Sequence, residues 1–231
     1  SLALPTCTAL TPCTALPYAL GPALADGAAL VIALSDCAAR CAALTPHRRM
    51  TVPVITIAQS KGGAGKTTLA LALASEFEAL GGSVYMLDAD RQNSLLNWHR
   101  DRLAAGRGGD SKIQVEDASQ LRDADIGGAI TKARELAQLV IVDSEGTSNF
   151  KTAYAAMDSD FVVIPTRSSR LDLERTVETS DMLEKMCRGV PYRVLITQTG
   201  QVARSKAEWE IDSQISKALP TFPEQMHNLD A

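Results

Sequence analysis

Two lysines, three glycines and two threonines crowd into the run KGGAGKTT between Lys61 and Thr68, and their types and spacing suit one chemistry, the grip on a chain of phosphates. Glycines let the backbone close round an anion with its N–H groups inward. A helix beginning near Lys66 adds the positive end of its dipole. Lys66 supplies a mobile charge for the outer phosphates, and the Thr67 hydroxyl is placed to ligand Mg²⁺. Gly62, Gly63, Ala64, Gly65 and Thr68 complete the binding loop.

A loop of this kind needs a rigid mount. Val54, Ile55, Ile57 and Ala58 read as a buried strand leading in, and Leu69 to Leu80 as a helix leading out, ending at Gly81-Gly82. A second strand in SVYMLDADRQNS ends in Asp88 and Asp90, and a third in LVIVDSEGTSN ends in Asp143. Open parallel sheets bind ligands beyond the carboxyl ends of their strands, so acids at those ends fall beside the loop if the strands are neighbours. The expected architecture is α/β, a mostly parallel twisted sheet flanked by helices in three layers.

The usual phosphate-loop pattern G-x-x-x-x-G-K-[ST] would place glycine at position 60, where this chain has Ser60 followed by the extra Lys61. KGGAGKTT with that early lysine resembles the deviant Walker A loop of the ParA/MinD superfamily, most closely its small partition ATPases. The resemblance runs from about Thr51 to Ala231 and rests on the loop, the D-x-D segment and the Asp143 strand in that order. It implies a Mg²⁺-dependent ATPase in which Lys66 and the loop hold the β and γ phosphates. Thr67, Asp88 and Asp143 would serve the metal, Asp90 would activate the attacking water with Gln92 in the mobile switch, and Lys61 would reach the nucleotide of the opposite subunit. Lys61, Lys66 and Asp90 are thus the catalytic candidates, and Thr197 and Gln198 candidates for contact with the base.

The resemblance further implies an ATP-dependent homodimer that binds DNA without sequence preference. A ParB-like centromere-binding partner would stimulate its slow hydrolysis, and the protein would be cytoplasmic, associated with the nucleoid, with no membrane contact. Two neighbourhoods depart from the family pattern. Arg91 stands where a proline is usual, and Asp143-Ser144-Glu145-Gly146 replaces D-T-P-P or D-T-P-G.

Bulk properties agree with a globular enzyme. The 231 residues suffice for one well-buried domain, and 45% apolar with 22% charged residues is ordinary soluble composition. A formal charge of −4 argues against a protein basic all over, yet allows a local basic face. Arg167, Arg170, Arg175, Arg193, Arg204 and Lys206 are the cations from which a DNA-binding face is expected. Leu171, Val177, Met182 and Met186 follow helical periodicity and are expected in the core. YRVLITQT reads as the last strand, with a helix after it from about Ala207 to Leu219.

Residues 1–49 differ from the rest: rich in Ala, Leu, Pro and Thr, with a near-repeat CTALTP/CTALPY, they read as a disordered or non-native extension before a domain spanning 50–231. Four of the five cysteines lie in that segment, at spacings that match no usual zinc pattern, and an ATP-using enzyme works where thiols stay reduced. The domain is expected to stop short of one or two further C-terminal helices. Other readings are a MinD-like positioner, which would need an amphipathic helix at the C-terminus, and an iron-protein-like reductase, which Cys187 alone would not serve. A non-hydrolysing scaffold of the same fold is the third.

Overall fold

The computed structural model describes residues 52–146, 149–200 and 204–227. The expectations for residues 1–49 and for their cysteines lie outside the described residues. Seven strands form one wholly parallel sheet: β1 (Val54–Ile57), β2 (Val84–Asp88), β3 (Ile113–Asp117), β4 (Leu139–Asp143), β5 (Phe161–Thr166), β6 (Tyr192–Thr199) and β7 (Thr221–His227), in the order β3-β2-β4-β1-β5-β6-β7. Helices α1 (Lys66–Ala79), α2 (Ser94–Ala104), α3 (Ile126–Leu136), α4 (Asn149–Met157), α5 (Arg170–Met186) and α6 (Lys206–Ala218) complete the fold, with a short 3₁₀ turn at Asp123–Asp125.

The central strands β1, β2, β4 and β5 are buried at every position, as strands covered on both faces must be. On one face Leu69 and Leu73 of α1 and Leu95 of α2 pack on Ile55, Ile57, Met86 and Ile141. On the other, Ile126 and Ile130 of α3 cover Val54, Leu87 and Val142, while Ala153 of α4, Leu183 of α5 and Ile215 of α6 cover Val162, Ile164 and Val194. Strand β1 pairs with β4 on one side and β5 on the other, aligning Ile57 with Asp143, and β2 aligns Asp88 with Asp143. The chain leaves β1 toward β2 and later returns to β5 on its far side, so the strand order reverses at β1, where doubly wound sheets open a crevice.

The fold departs from the sequence reading at its edge strand and along helix α5. A seventh strand follows the one read as last: TFPEQMH contains Pro223, which argues against a central strand, but β7 lies at the edge of the sheet. Pro223 sits inside the register shift between the Thr221 and Gln225 pairings, so its missing N–H breaks no regular ladder. Helix α4, for which the sequence offers no separate signal, is short and buries Ala153, Ala155 and Ala156.

Of the apolar stripe of α5 expected in the core, only Met182 packs against it, half-buried. Leu171 is 67% exposed, Val177 39% and Met186 41%, whereas Asp172, Thr176, Thr179 and Ser180 are buried with Leu183. That polar stripe packs on Gln59, whose side-chain amide donates to Pro165 O at 3.1 Å and Thr176 Oγ1 at 3.1 Å and accepts from Thr179 at 3.3 Å. Hydrogen bonding of this polar stripe, together with burial of Leu183, therefore decides which way the helix faces.

Two of the cations expected to bind DNA are engaged within the chain. Arg204 has a side chain only 9% exposed, paired to Asp212 and bonded to Ser168 and Gln225. Arg193 donates to Thr221 O at 3.4 Å and lies over the Phe222 ring.

Candidate functional site

The loop after β1 carries the backbone conformations that a phosphate cradle requires. Gly63 and Gly65 have φ of +76° and +88°, left-handed values that a side chain would strain, so glycine is needed at both. Gly65 precedes the fourteen-residue helix α1, whose first turn has neither a side-chain cap nor an acidic residue. An uncapped helix start beneath a glycine-rich turn leaves its N–H groups for an anion.

A cleft of about 500 Å³ opens there, lined by Gly62, Gly63, Gly65, Lys66, Thr67 and Thr68 from the loop, and by Asp90, Arg91 and Gln92 from the segment after β2. Glu145, Gly146 and Gln198 close its rim. Ala64 is wholly buried and contributes only backbone. Lys66 is itself buried; its Nζ donates to Lys61 O at 3.4 Å, and among the described residues no carboxylate lies within ion-pair distance. A buried ammonium with a single weak partner is costly unless an anion completes it. Gly146 approaches so closely that a Cβ there would meet Lys66 Nζ at 3.3 Å.

Beneath the cleft, Thr67 Oγ1 donates to Asp143 Oδ2 at 2.6 Å, while the buried Asp143 Oδ1 has no partner. An orphaned carboxylate oxygen beside a loop threonine fits a divalent cation, which these two residues would hold together with phosphate oxygens. Burial pushes the Asp143 carboxyl up to about 7; Asp88 and Asp90 push the same way, against the Thr67 bond and the Lys66 charge. Its ordinary value is 3.8, so the folded protein holds a proton that the unfolded chain has released, and this site's stability is lost as pH rises from about 4 to 7. In chelator, Asp143→Asn should flatten that part of the stability-versus-pH curve measured by urea unfolding. An unchanged slope would mean that Asp143 does not carry it.

Asp88, wholly buried, employs both carboxylate oxygens on the segment that follows it: Oδ1 accepts from Asp90 N at 3.2 Å and Oδ2 from Leu96 N at 2.9 Å. It thereby fixes the turn that presents Asp90, whose own Oδ1 accepts from Gln92 N at 2.9 Å. The two departures from the family pattern meet across the cleft, with Arg91 Nε 3.9 Å from Glu145 Oε2. Ser144 ties the strand end inward, donating to Ile57 O at 2.8 Å.

Lys61 does not line the cleft but a neighbouring cavity of about 400 Å³ between the loop, Glu145 and α5. Its ammonium lies 2.9 Å from Asp172 Oδ1, an acid with no solvent exposure that is also held by Arg167 at 3.2 Å and by Ser169. Burial raises the Asp172 carboxyl, but bonds from Ser169, Lys61 and Arg167 outweigh it and hold the group below its usual range. Sequence reasoning gave Asp172 no role. Its signals are the run Ser169-Arg170-Leu171-Asp172-Leu173, which resembles the family's S-x-L-D-L passage, and the spacing from Ser169, which caps α5 by accepting from Asp172 N at 3.2 Å. Lys151 was equally unforeseen: buried, it donates to Ser119 O at 2.7 Å and Ala118 O at 3.4 Å, tying α4 to the end of β3. Thr197, a candidate for contact with the base, is buried and donates to the loop backbone at Ala64 O. Among the described residues no helix is long and apolar enough to cross a membrane.

A family model described as VirC1 protein matches residues 52–231. Protein ParA of Rhizobium radiobacter is 30% identical over 164 residues, which cover 67% of this chain and 68% of that protein. Among solved structures, a plasmid partition protein of Borrelia burgdorferi bound to AMPPNP superposes with a TM-score of 0.61 at 17% identity, covering 76% of this chain and 88% of that one. Cobyrinic acid a,c-diamide synthase of Mycobacterium smegmatis with bound ADP and magnesium gives 0.61 at 15%, covering 77% and 87%. Two proteins with such different names share the fold, so fold alone does not assign the activity.

Proposed function

The chain belongs to the VirC1 protein family, within the ParA-like P-loop partition proteins, and on that premise we propose that it is an ATPase of the partition type. It binds ATP with Mg²⁺ in the cleft after β1, dimerises around the nucleotide and hydrolyses it slowly. In the dimeric state it binds DNA without sequence preference, and a ParB-like partner accelerates hydrolysis, the cycle serving plasmid or chromosome segregation in a cytoplasmic, nucleoid-associated protein. The observation that carries the reading is the conjunction at the loop: an uncapped helix start and, among the described residues, a buried Lys66 lacking an ion pair and an orphaned Asp143 oxygen beside Thr67.

Within this reading Lys66 and the loop N–H groups hold the β and γ phosphates, with little covalent work left for the protein. Mg²⁺, when bound at Thr67 and Asp143 with Asp88 behind them, supplies charge neutralisation at those oxygens. Asp90, fixed by Asp88, orients the attacking water. Lys61 reaches the partner subunit's nucleotide only by leaving Asp172, which keeps Arg167 and Ser169 when it goes. Exchanging one anion for another keeps the ammonium paired in both states, so the same lysine serves monomer and dimer.

Sizing by light scattering tests the reading. The wild type should be monomeric with ADP and dimeric with MgATP, and Lys61→Ala should weaken the ATP dimer at least about tenfold. A wild type whose mass ignores the nucleotide would overturn the proposal.

A further inference from the structure

We infer that Thr197 and Gln198, at the carboxyl end of β6, are positioning residues that orient the backbone of the phosphate loop, an inference that rests on the nucleotide-binding reading above. Thr197 Oγ1 lies 2.9 Å from Ala64 O and 3.2 Å from Thr166 O, and its proton serves both. Gln198 Nε2 donates to Gly63 O at 2.9 Å. Two adjacent side chains thus hold two adjacent carbonyls of a loop more than 130 residues away in sequence.

The consequence follows from peptide geometry. Each peptide unit is planar and trans, so the C=O of one residue and the N–H of the next point in opposite directions. Drawing the Gly63 and Ala64 carbonyls toward β6 turns the N–H groups of Ala64 and Gly65 the other way, toward the cleft. Such N–H groups are what a bound phosphate uses.

Consecutive side chains of a regular strand point to opposite faces, so a straight β6 could aim only one of the two residues at the loop. Leu195 lies in the cluster on the α1 side and Val194 in the opposite one, which puts Thr197 on the loop side by alternation and Gln198 away from it. Gln198 breaks the alternation with φ of +56°, and the pairing with β7 shifts register between Thr197 and Thr199. Asn93 is the one other non-glycine with positive φ among the described residues. A side chain in that region is strained, and here the strain swings the amide onto Gly63.

The test uses a fluorescent N-methylanthraniloyl ADP with Mg²⁺, titrated well below each variant's melting temperature. Thr197→Val, which keeps the shape and removes the hydroxyl, should weaken binding about tenfold, and Thr197→Ser, which restores it, should return to within twofold of wild type. Gln198→Ala, at an exposed position, should weaken binding about threefold and decides the matter should Thr197→Val not fold. Equal affinity in folded Thr197→Val or in Gln198→Ala overturns the inference. So does a Thr197→Ser as weak as the valine variant, since packing of the methyl group would then explain the loss. A wild type that binds no nucleotide overturns the reading of the cleft itself, a separate result from variants that match a binding-competent wild type.

Discussion

Lys66→Ala is expected to abolish nucleotide binding, raising the dissociation constant for MgATP at least about a hundredfold, or roughly 2.7 kcal/mol. The ammonium sits buried at the base of the cleft with only Lys61 O as a weak partner, so its electrostatic attraction is uncommitted until a phosphate arrives. Removing it costs the free protein little, because an unpaired buried charge is itself unfavourable. The thermal signature is therefore specific. The wild type at a hundred times its dissociation constant gains about 2.7 kcal/mol from ligand, or roughly 5–10 °C for a domain of this size. Lys66→Ala should melt at or above the unliganded wild-type temperature and show no such gain. A variant that keeps the nucleotide-dependent shift would remove the loop from the argument.

Asp90→Ala is expected to separate binding from turnover. The carboxylate lines the cleft, and Asp88 and Gln92 hold the turn that presents it, so it is placed for a proton or a water and not for the phosphate chain. Loss of a positioned general base or water-orienting group costs about 10²–10⁴ in rate. Single-turnover hydrolysis should fall by at least about a hundredfold while MgATP affinity stays within a few-fold of wild type. Turnover that survives the substitution would transfer the role to another group at the rim, where Glu145 is the other acid.

The chemistry of the cleft was legible because it is local. The three glycines and Lys66-Thr67 lie within a few residues of one another, β1 is an apolar run leading into them, and β2 and β4 are apolar runs ending in the acids that the sheet then aligns at Asp88 and Asp143. Helix α5 was misread because periodicity assumes that burial follows hydrophobicity. Beside Leu183, its core-facing side chains include Asp172, Thr176 and Thr179, whose partners Gln59, Thr166 and Lys61 belong to other elements.

By itself the sequence determined the strand–loop–helix that grips phosphate, the acids at the neighbouring strand ends and the α/β class, since each depends on residue type and short spacing. Only the tertiary structure decided where Lys61 rests, which face of α5 is buried, that TFPEQMH joins the sheet edge, and that Thr197 and Gln198 hold the loop. The reason is that these depend on pairings between residues tens to more than a hundred positions apart, which a fold creates and no local pattern encodes.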